Sequence, residues 1–171
     1  MKNFLLRIFN PEYLAETTTN PNLLDKLSKN KYFDVRYRVA ENPNTKPETL
    51  DTLSQDKDYR VRLYVAQNPN TTPETLDVLS QDKGCGVRLY VARNLNTKPE
   101  TLDVLSRDEV SDVRWCVAYN PSTKPETLDT LSRDKDFDVR HYVAQNPNCS
   151  ERAYKYIKGL ELLKSLSEVS T

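Results

Sequence analysis

Apolar residues recur along the chain in short paired stripes and never in long runs. In the stretch 45–70, Leu50 and Leu53 lie three apart on one helical face, and Val61, Tyr64 and Val65 follow at i, i+3, i+4. The spacing predicts two short helices separated by a polar turn. Ahead of the first, Thr45-Lys46-Pro47-Glu48 reads as a capping box, with a threonine cap and a glutamate three residues on. Proline is tolerated in that first turn, where its missing N–H costs nothing. The first helix is expected to stop near Asp56, and the second at Asn68-Pro69, because a residue before proline is pushed out of the α region.

This pattern repeats. Thr19–Asn44, Thr45–Asn70, Thr71–Asn96, Thr97–Ser122 and Thr123–Asn148 are five consecutive units of 26 residues without a gap. A partial sixth begins at Cys149, and the N-terminal segment reads as a degenerate unit. Helices this short are marginal alone, so neighbouring units must stabilise one another by stacking. Each unit therefore carries two short helices, α with α or α with 3₁₀ in either order, since 26 residues is tight for two full α-helices and the 3₁₀ form covers more length per residue. The fold class is an all-α helical-repeat solenoid. Residues 1–18 form an N-terminal helical cap, with two short helices in Phe4–Glu16. The repeats occupy 19–148, and 149–171 holds a C-terminal capping helix and a frayed tail from Ser167, all in one elongated domain. Glu151–Leu166 is expected to turn Tyr154, Ile157, Leu160 and Leu163 inward.

Composition narrows the function classes. The 171 residues carry 25 Lys+Arg, 25 Asp+Glu and one His, a formal charge of zero, which disfavours a general nucleic-acid binder that must displace counterions. At 37% hydrophobic and 29% charged residues, with a mean hydropathy of −0.75, the chain approaches disordered compositions; the repeat instead explains this as thin, one-unit-wide cores. Within the neutral total, the first unit is mildly basic and the fourth and fifth mildly acidic. Three glycines leave no phosphate-cradling loop. Cys85, Cys116 and Cys149 lie 31 and 33 residues apart with no CxxC, so no disulfide framework, zinc or iron–sulfur site is indicated. Phe4 to Phe9 is too short and too interrupted for a signal peptide. A cytoplasmic, monomeric protein is expected, with no membrane segment and no cofactor.

The unit resembles the leucine-rich repeat variant family, on Asn68-Pro69-Asn70-Thr71-Thr72-Pro73-Glu74, Leu76, Leu79, Asp82, Val87-Arg88 and Val91-Ala92. Five copies in register, from 19 to about 150, carry the resemblance. It implies a right-handed superhelix of alternating α- and 3₁₀-helices, loosely related to HEAT repeats. Founding members hold a cysteine-ligated iron–sulfur cluster ahead of the repeats. Here no cysteine precedes Cys85, so that cofactor is not carried over.

Comparing copies separates scaffold from free positions. Arg36, Arg62, Arg88, Arg114 and Arg140 recur in all units, as an inter-repeat ladder to a carboxylate or carbonyl or as a phosphate-binding row; Asp34, Asp112 and Asp138, two residues upstream, fit the ladder. Asn42, Asn68, Asn94, Asn120 and Asn146 are expected to satisfy turn backbone groups. Paired valines four apart, from Val35/Val39 to Val139/Val143, point inward, and Ala40, Ala66, Ala92, Ala118 and Ala144 allow close helix approach. The columns that vary most are Tyr37, Leu63, Leu89, Trp115 and His141, with their i+4 partners Glu41, Gln67, Arg93, Tyr119 and Gln145. They are candidates for a protein- or peptide-binding face anchored by Trp115 and Tyr119, or else a second tier of core. Lys83-Gly84-Cys85-Gly86 is an irregularity in unit three, read as loop drift or as a redox hinge.

No catalytic constellation is present: His141 is the only histidine and has no motif-placed nucleophile nearby. Asp51, Asp56 and Asp77 recur with the repeat and read as solvated or capping positions. The leading expectation is a non-catalytic scaffold for a protein or peptide partner. The alternatives are nucleic-acid-backbone binding on a HEAT-like concave surface, for which Arg93 and Arg38 are the only basic candidates, and a HEAT-like enzyme such as a cofactor lyase.

Overall fold

A computed structural model describes residues 10–169, with side chains described to residue 166. Backbone contacts divide the chain into two compact units, Met1–Asn96 and Thr97–Thr171, and the division falls on a repeat boundary. In the first unit the helices are α1 (Pro11–Thr17), α2 (Pro21–Leu27), α3 (Phe33–Glu41), α4 (Pro47–Leu53), α5 (Tyr59–Gln67), α6 (Pro73–Leu79) and α7 (Cys85–Arg93). In the second they are α8 (Pro99–Leu105), α9 (Ser111–Tyr119), α10 (Pro125–Leu131), α11 (Phe137–Gln145) and α12 (Glu151–Val169). No strand occurs among the described residues, and each unit stacks its helices as an all-α helical-repeat solenoid does. Of the Phe4–Glu16 stretch, where two short helices are expected, α1 (Pro11–Thr17) covers the second part, and residues 4–9 lie outside the described residues.

Both helices of every repeat are α, so the 3₁₀ alternation implied by the resemblance is confined to one turn. After Leu53, the amides of Gln55 and Asp56 donate to Thr52 and Leu53 three residues back, which tightens the helix end and shortens the linker. Ser54 stops the helix, its Oγ donating to the Asp51 carbonyl at 2.6 Å, and Ser28, Ser80, Ser106 and Ser132 repeat the contact.

The capping box does not form. Thr45 stands one residue too early: Lys46 is the N-cap, and Thr45 is fully buried, donating through Oγ1 to the Val39 carbonyl at 2.6 Å. Thr71 and Thr123 do the same to Val65 and Val117. The threonine thus closes the end of the preceding helix instead of opening the next. In the third repeat alone Thr72 caps α6, accepting from the Thr75 amide.

The principal packing is between consecutive second helices: α3, α5 and α7 in series behind α1 in the first unit, and α9 with α11 in the second, where the capping helix α12 then packs on α11. Val61, Val65 and Ala66 are fully buried there, as are their equivalents Val87, Val91 and Ala92. Leu50 and Leu76 close the core from the first helices.

Three polar ladders set the register. Asn68 donates through Nδ2 to the carbonyls of Ala40 at 2.6 Å and Asn42 at 3.0 Å in the preceding repeat, while its Oδ1 accepts from the Asn70 amide. Asn94 and Asn146 reproduce this on Ala66/Asn68 and Ala118/Asn120, and Asn42 uses α1 as its neighbour. The asparagines therefore serve their own turn, as expected, and also tie repeats together. Arg36 grips Asp56 of the next repeat through Nε and Nη2 at 2.5 and 2.9 Å, and its Nη1 holds the carbonyls of Asn30 and Lys31. Arg62–Asp82 and Arg114–Asp134 match it. In these three copies the arginine links one repeat to the next, and its carboxylate comes from twenty residues downstream, not from Asp34, Asp112 or Asp138, which lie in the first turns of second helices. Asp56 is thus a ladder partner, not a solvated position. Lastly, Thr75 donates to Asp51 at 3.0 Å and Thr127 to Asp103 at 3.1 Å.

The capping helix α12 buries Ala153 and Ile157, with Leu160 half-buried. Ile157 and Leu160 lie inward as expected, whereas Tyr154 and Leu163 are 45% and 66% exposed, because the helix packs on an i, i+4, i+7 stripe that begins at Ala153. The helix also runs on to Val169, past the expected fraying point at Ser167.

Burial alone would raise the Asp56 carboxyl, but the Arg36 hydrogen bond, the Asp58 amide and the guanidinium charge hold it below its ordinary 3.8; Asp82 and Asp134 behave alike. The unfolded chain therefore takes up these protons first. The stabilisation is complete above about pH 4–5 and is lost as pH falls through the depressed folded-state values. Melting temperature followed against pH should fall on the acid side, and more shallowly in Asp82→Asn than in the parent. Asn68→Ala, which strands two buried carbonyls, should cost about 2–3 kcal/mol in denaturant unfolding.

Candidate functional site

The varying columns lie on the second helices, whose inward valines and polar ladders fix how each helix is turned. In both units the first column, Tyr37, Leu63, Leu89, Trp115 and His141, is half-buried, and the second, Glu41, Gln67, Arg93, Tyr119 and Gln145, is exposed. The face is thus neither bare surface nor closed core: apolar side chains sit as a floor with polar or aromatic tips above it.

In the first unit, Tyr37 stacks on Tyr64 of the next repeat with centroids 5.2 Å apart, and on Phe33 at 6.3 Å. Burial pushes the Tyr37 hydroxyl above its ordinary value, with Arg38 pulling the other way. The Arg38 guanidinium lies 4.9 Å from that ring and pairs with Glu41 at 2.9 Å, Glu12 at 3.5 Å and Glu16 at 4.0 Å. Farther along, Gln67, Tyr90, Arg93 and Asn94 line an open cavity of about 430 Å³.

In the second unit the face is aromatic. Trp115 stacks on Tyr142 at 4.9 Å, Tyr119 meets the same ring edge-on at 5.7 Å, and His141 does so at 5.6 Å. Tyr119 is 58% exposed. His141 also stacks on Phe137 and shares a 2.7 Å hydrogen bond with Gln145, so packing and an amide occupy the only imidazole. The comparison of copies picked out Trp115, Tyr119, His141 and Gln145 but neither Tyr142 nor Phe137. The signal for Tyr142 was present: Tyr64, Tyr90 and Tyr142 occupy the column beside the variable one.

Cys85 is exposed and begins α7, so the Lys83–Gly86 irregularity is the start of a helix and not a hinge in a loop. Gly84, its N-cap, has ordinary extended backbone with no positive φ. Cys116 is buried, and burial raises the Cys149 thiol. Among the described residues no three His, Cys, Asp or Glu side chains gather as a metal site would require, and no helix is long and apolar enough to cross a membrane.

No family-wide sequence pattern matches the chain, and no curated protein sequence does. Solved structures do. A leucine-rich repeat variant, described as having a novel repetitive structural motif, superposes with a TM-score of 0.65 at 25% identity, over 87% of this chain. The chain spans 64% of that protein's length. An engineered protein matches with a TM-score of 0.54 at 18% identity, covering 91% of this chain and 94% of its own, a likeness of fold alone. The resemblance to leucine-rich repeat variants drawn from the repeat motif thus holds at the level of structure.

Because Tyr119 projects while Trp115 is wedged on Tyr142, Tyr119→Ala should change the stability of the chain by no more than about 0.5 kcal/mol. Trp115→Ala should cost about 1–2 kcal/mol from lost stacking and burial. Thermal melts followed by circular dichroism compare the two.

Proposed function

We propose that this protein is a non-catalytic interaction scaffold that holds a protein or peptide segment on the variable face of its second helices. The observation that carries this reading is the Trp115–Tyr142–Tyr119 cluster. It assembles the side-chain types that dominate binding hot spots, at positions that differ from copy to copy within an otherwise repeated helix. Half-buried rings are held rigid before a partner arrives, so little side-chain entropy is lost on binding. The exposed Gln145 at the cluster, and Gln67 and Arg93 in the first unit, supply hydrogen-bonding tips around apolar floors.

Two other readings have less support. Of the basic candidates for gripping a nucleic-acid backbone, Arg38 is committed to three carboxylates, which leaves Arg93 with too few neighbours to displace counterions. For an enzyme, the single histidine bonds an amide, and no nucleophile stands with it. A cytoplasmic, monomeric protein remains part of the proposal.

Affinity capture with purified parent protein and with Tyr119→Ala tests the idea, since that variant is expected to keep the fold, as thermal melts check. The expected result is a defined partner recovered by the parent and reduced at least about tenfold by the substitution, as for a central hot-spot residue. Equal recovery by both proteins would remove the aromatic face from the interaction.

A further inference from the structure

The arginine ladder ends one carboxylate short. Arg36, Arg62 and Arg114 each spend Nη1 on two backbone carbonyls and present Nε and Nη2 as a fork to an aspartate of the following repeat, at 2.5–3.1 Å. Arg140 is set in the same way, with Nη1 donating to Asp134 O at 2.6 Å and Lys135 O at 3.0 Å. The position 26 residues after Asp134, where the next aspartate would stand, is Leu160. The cause lies in the cap. Lys158-Gly159 replaces the serine stop found at Ser132, so α12 runs straight through the place where a repeat would turn and present its carboxylate. Arg140 has no ion pair among the described residues.

In front of it is a cavity of about 200 Å³ walled by Phe137, Ile157 and Leu160 and edged by Glu161 and Lys164. Glu161 is engaged with Lys158 at 2.7 Å. The Arg140 guanidinium and the Lys164 ammonium each lie 5.9 Å from the Phe137 ring, so two cations and an apolar wall share the opening. This is a different place from the variable face, and it does not depend on that face binding anything.

We propose that Arg140 is a receptor for a peptide carboxylate: an anion borne beside an apolar side chain, seated on the open fork with the apolar group against Phe137, Ile157 and Leu160. The guanidinium is pre-oriented by its two carbonyl bonds, so a carboxylate meets two parallel N–H donors without first ordering the arginine. The other arginines show in this same chain which chemistry the fork takes. An α-carboxylate at a peptide C-terminus and an aspartate or glutamate side chain share that chemistry.

The test observes the arginine Nε–H resonances of the intact protein by NMR during titration. N-acetyl-leucine supplies an α-carboxylate, N-acetyl-aspartyl-leucinamide a side-chain carboxylate, and N-acetyl-leucinamide neither. The Arg140 signal should move with the carboxylate probes, more with whichever source the site prefers, while Arg36, Arg62 and Arg114, already holding aspartates, stay still. Arg140→Lys should weaken the response at least about fivefold, because an ammonium keeps the charge and loses the fork. If that variant fails to fold, the three internal arginines still serve as controls in the parent. An Arg140 signal that ignores both carboxylates, that follows N-acetyl-leucinamide equally, or that answers more strongly to inorganic phosphate would overturn the assignment.

Discussion

Within each unit, second helices end on an asparagine, Asn42, Asn68, Asn94 or Asn146, whose amide reaches carbonyls of the segment before it. Ala40 and Asn42 present those carbonyls because α3 has just ended and its last C=O groups have no partner within the helix. A short helix in a thin core exposes a high proportion of such orphan groups, and a buried one left unpaired costs more than a typical contact contributes. Asn68 resolves the problem for its neighbour while its Oδ1 shapes its own turn. Everything else is spaced around that reach: the threonine that closes the Val39 carbonyl, the serine that stops the first helix, and the arginine that ties one loop to the next.

This arrangement explains how much could be read from the amino acids. The repeat length, the helix pairs, the valine stripes and the ladder status of the arginines follow from periodicity and from comparing copies. The partner of each arginine did not follow. Asp recurs in four of five units at the Asp56 position and in three at the Asp34 position, but the Asp34 position stands two residues from the arginine, and only the turn after α4 decides which of them faces the guanidinium. Thr45 misled for a related reason. Threonine three residues before glutamate fits a cap, yet a buried hydroxyl beside an unpaired carbonyl is the stronger demand, and Lys46 was left to begin the helix without a side-chain cap. Part of the inner stripe of α12 was misjudged because an isolated amphipathic helix offers several apolar stripes, and only the surface beneath it selects Ala153 over Tyr154 and Leu163.

Assigning backbone satisfaction to asparagine, threonine, serine and arginine frees the outer face of each second helix from structural duty. That face carries a tyrosine, two leucines, a tryptophan and a histidine at one equivalent position without any change in helix length. The candidate site was therefore legible as variation, whereas its chemistry was not. The aromatic cluster exists because Tyr142 of one copy reaches Trp115 of the copy before it, a contact that no single repeat contains.

The same reach has a consequence for how such chains grow and shrink. Within each unit, donor and acceptor of the rungs come from different copies of one sequence block, so a block duplicated in tandem arrives carrying both halves of each bond. A gain or loss of whole blocks leaves the internal bonding complete, so gene slippage in steps of 78 nucleotides, the 26 codons of one block, is a length change this architecture absorbs without redesign.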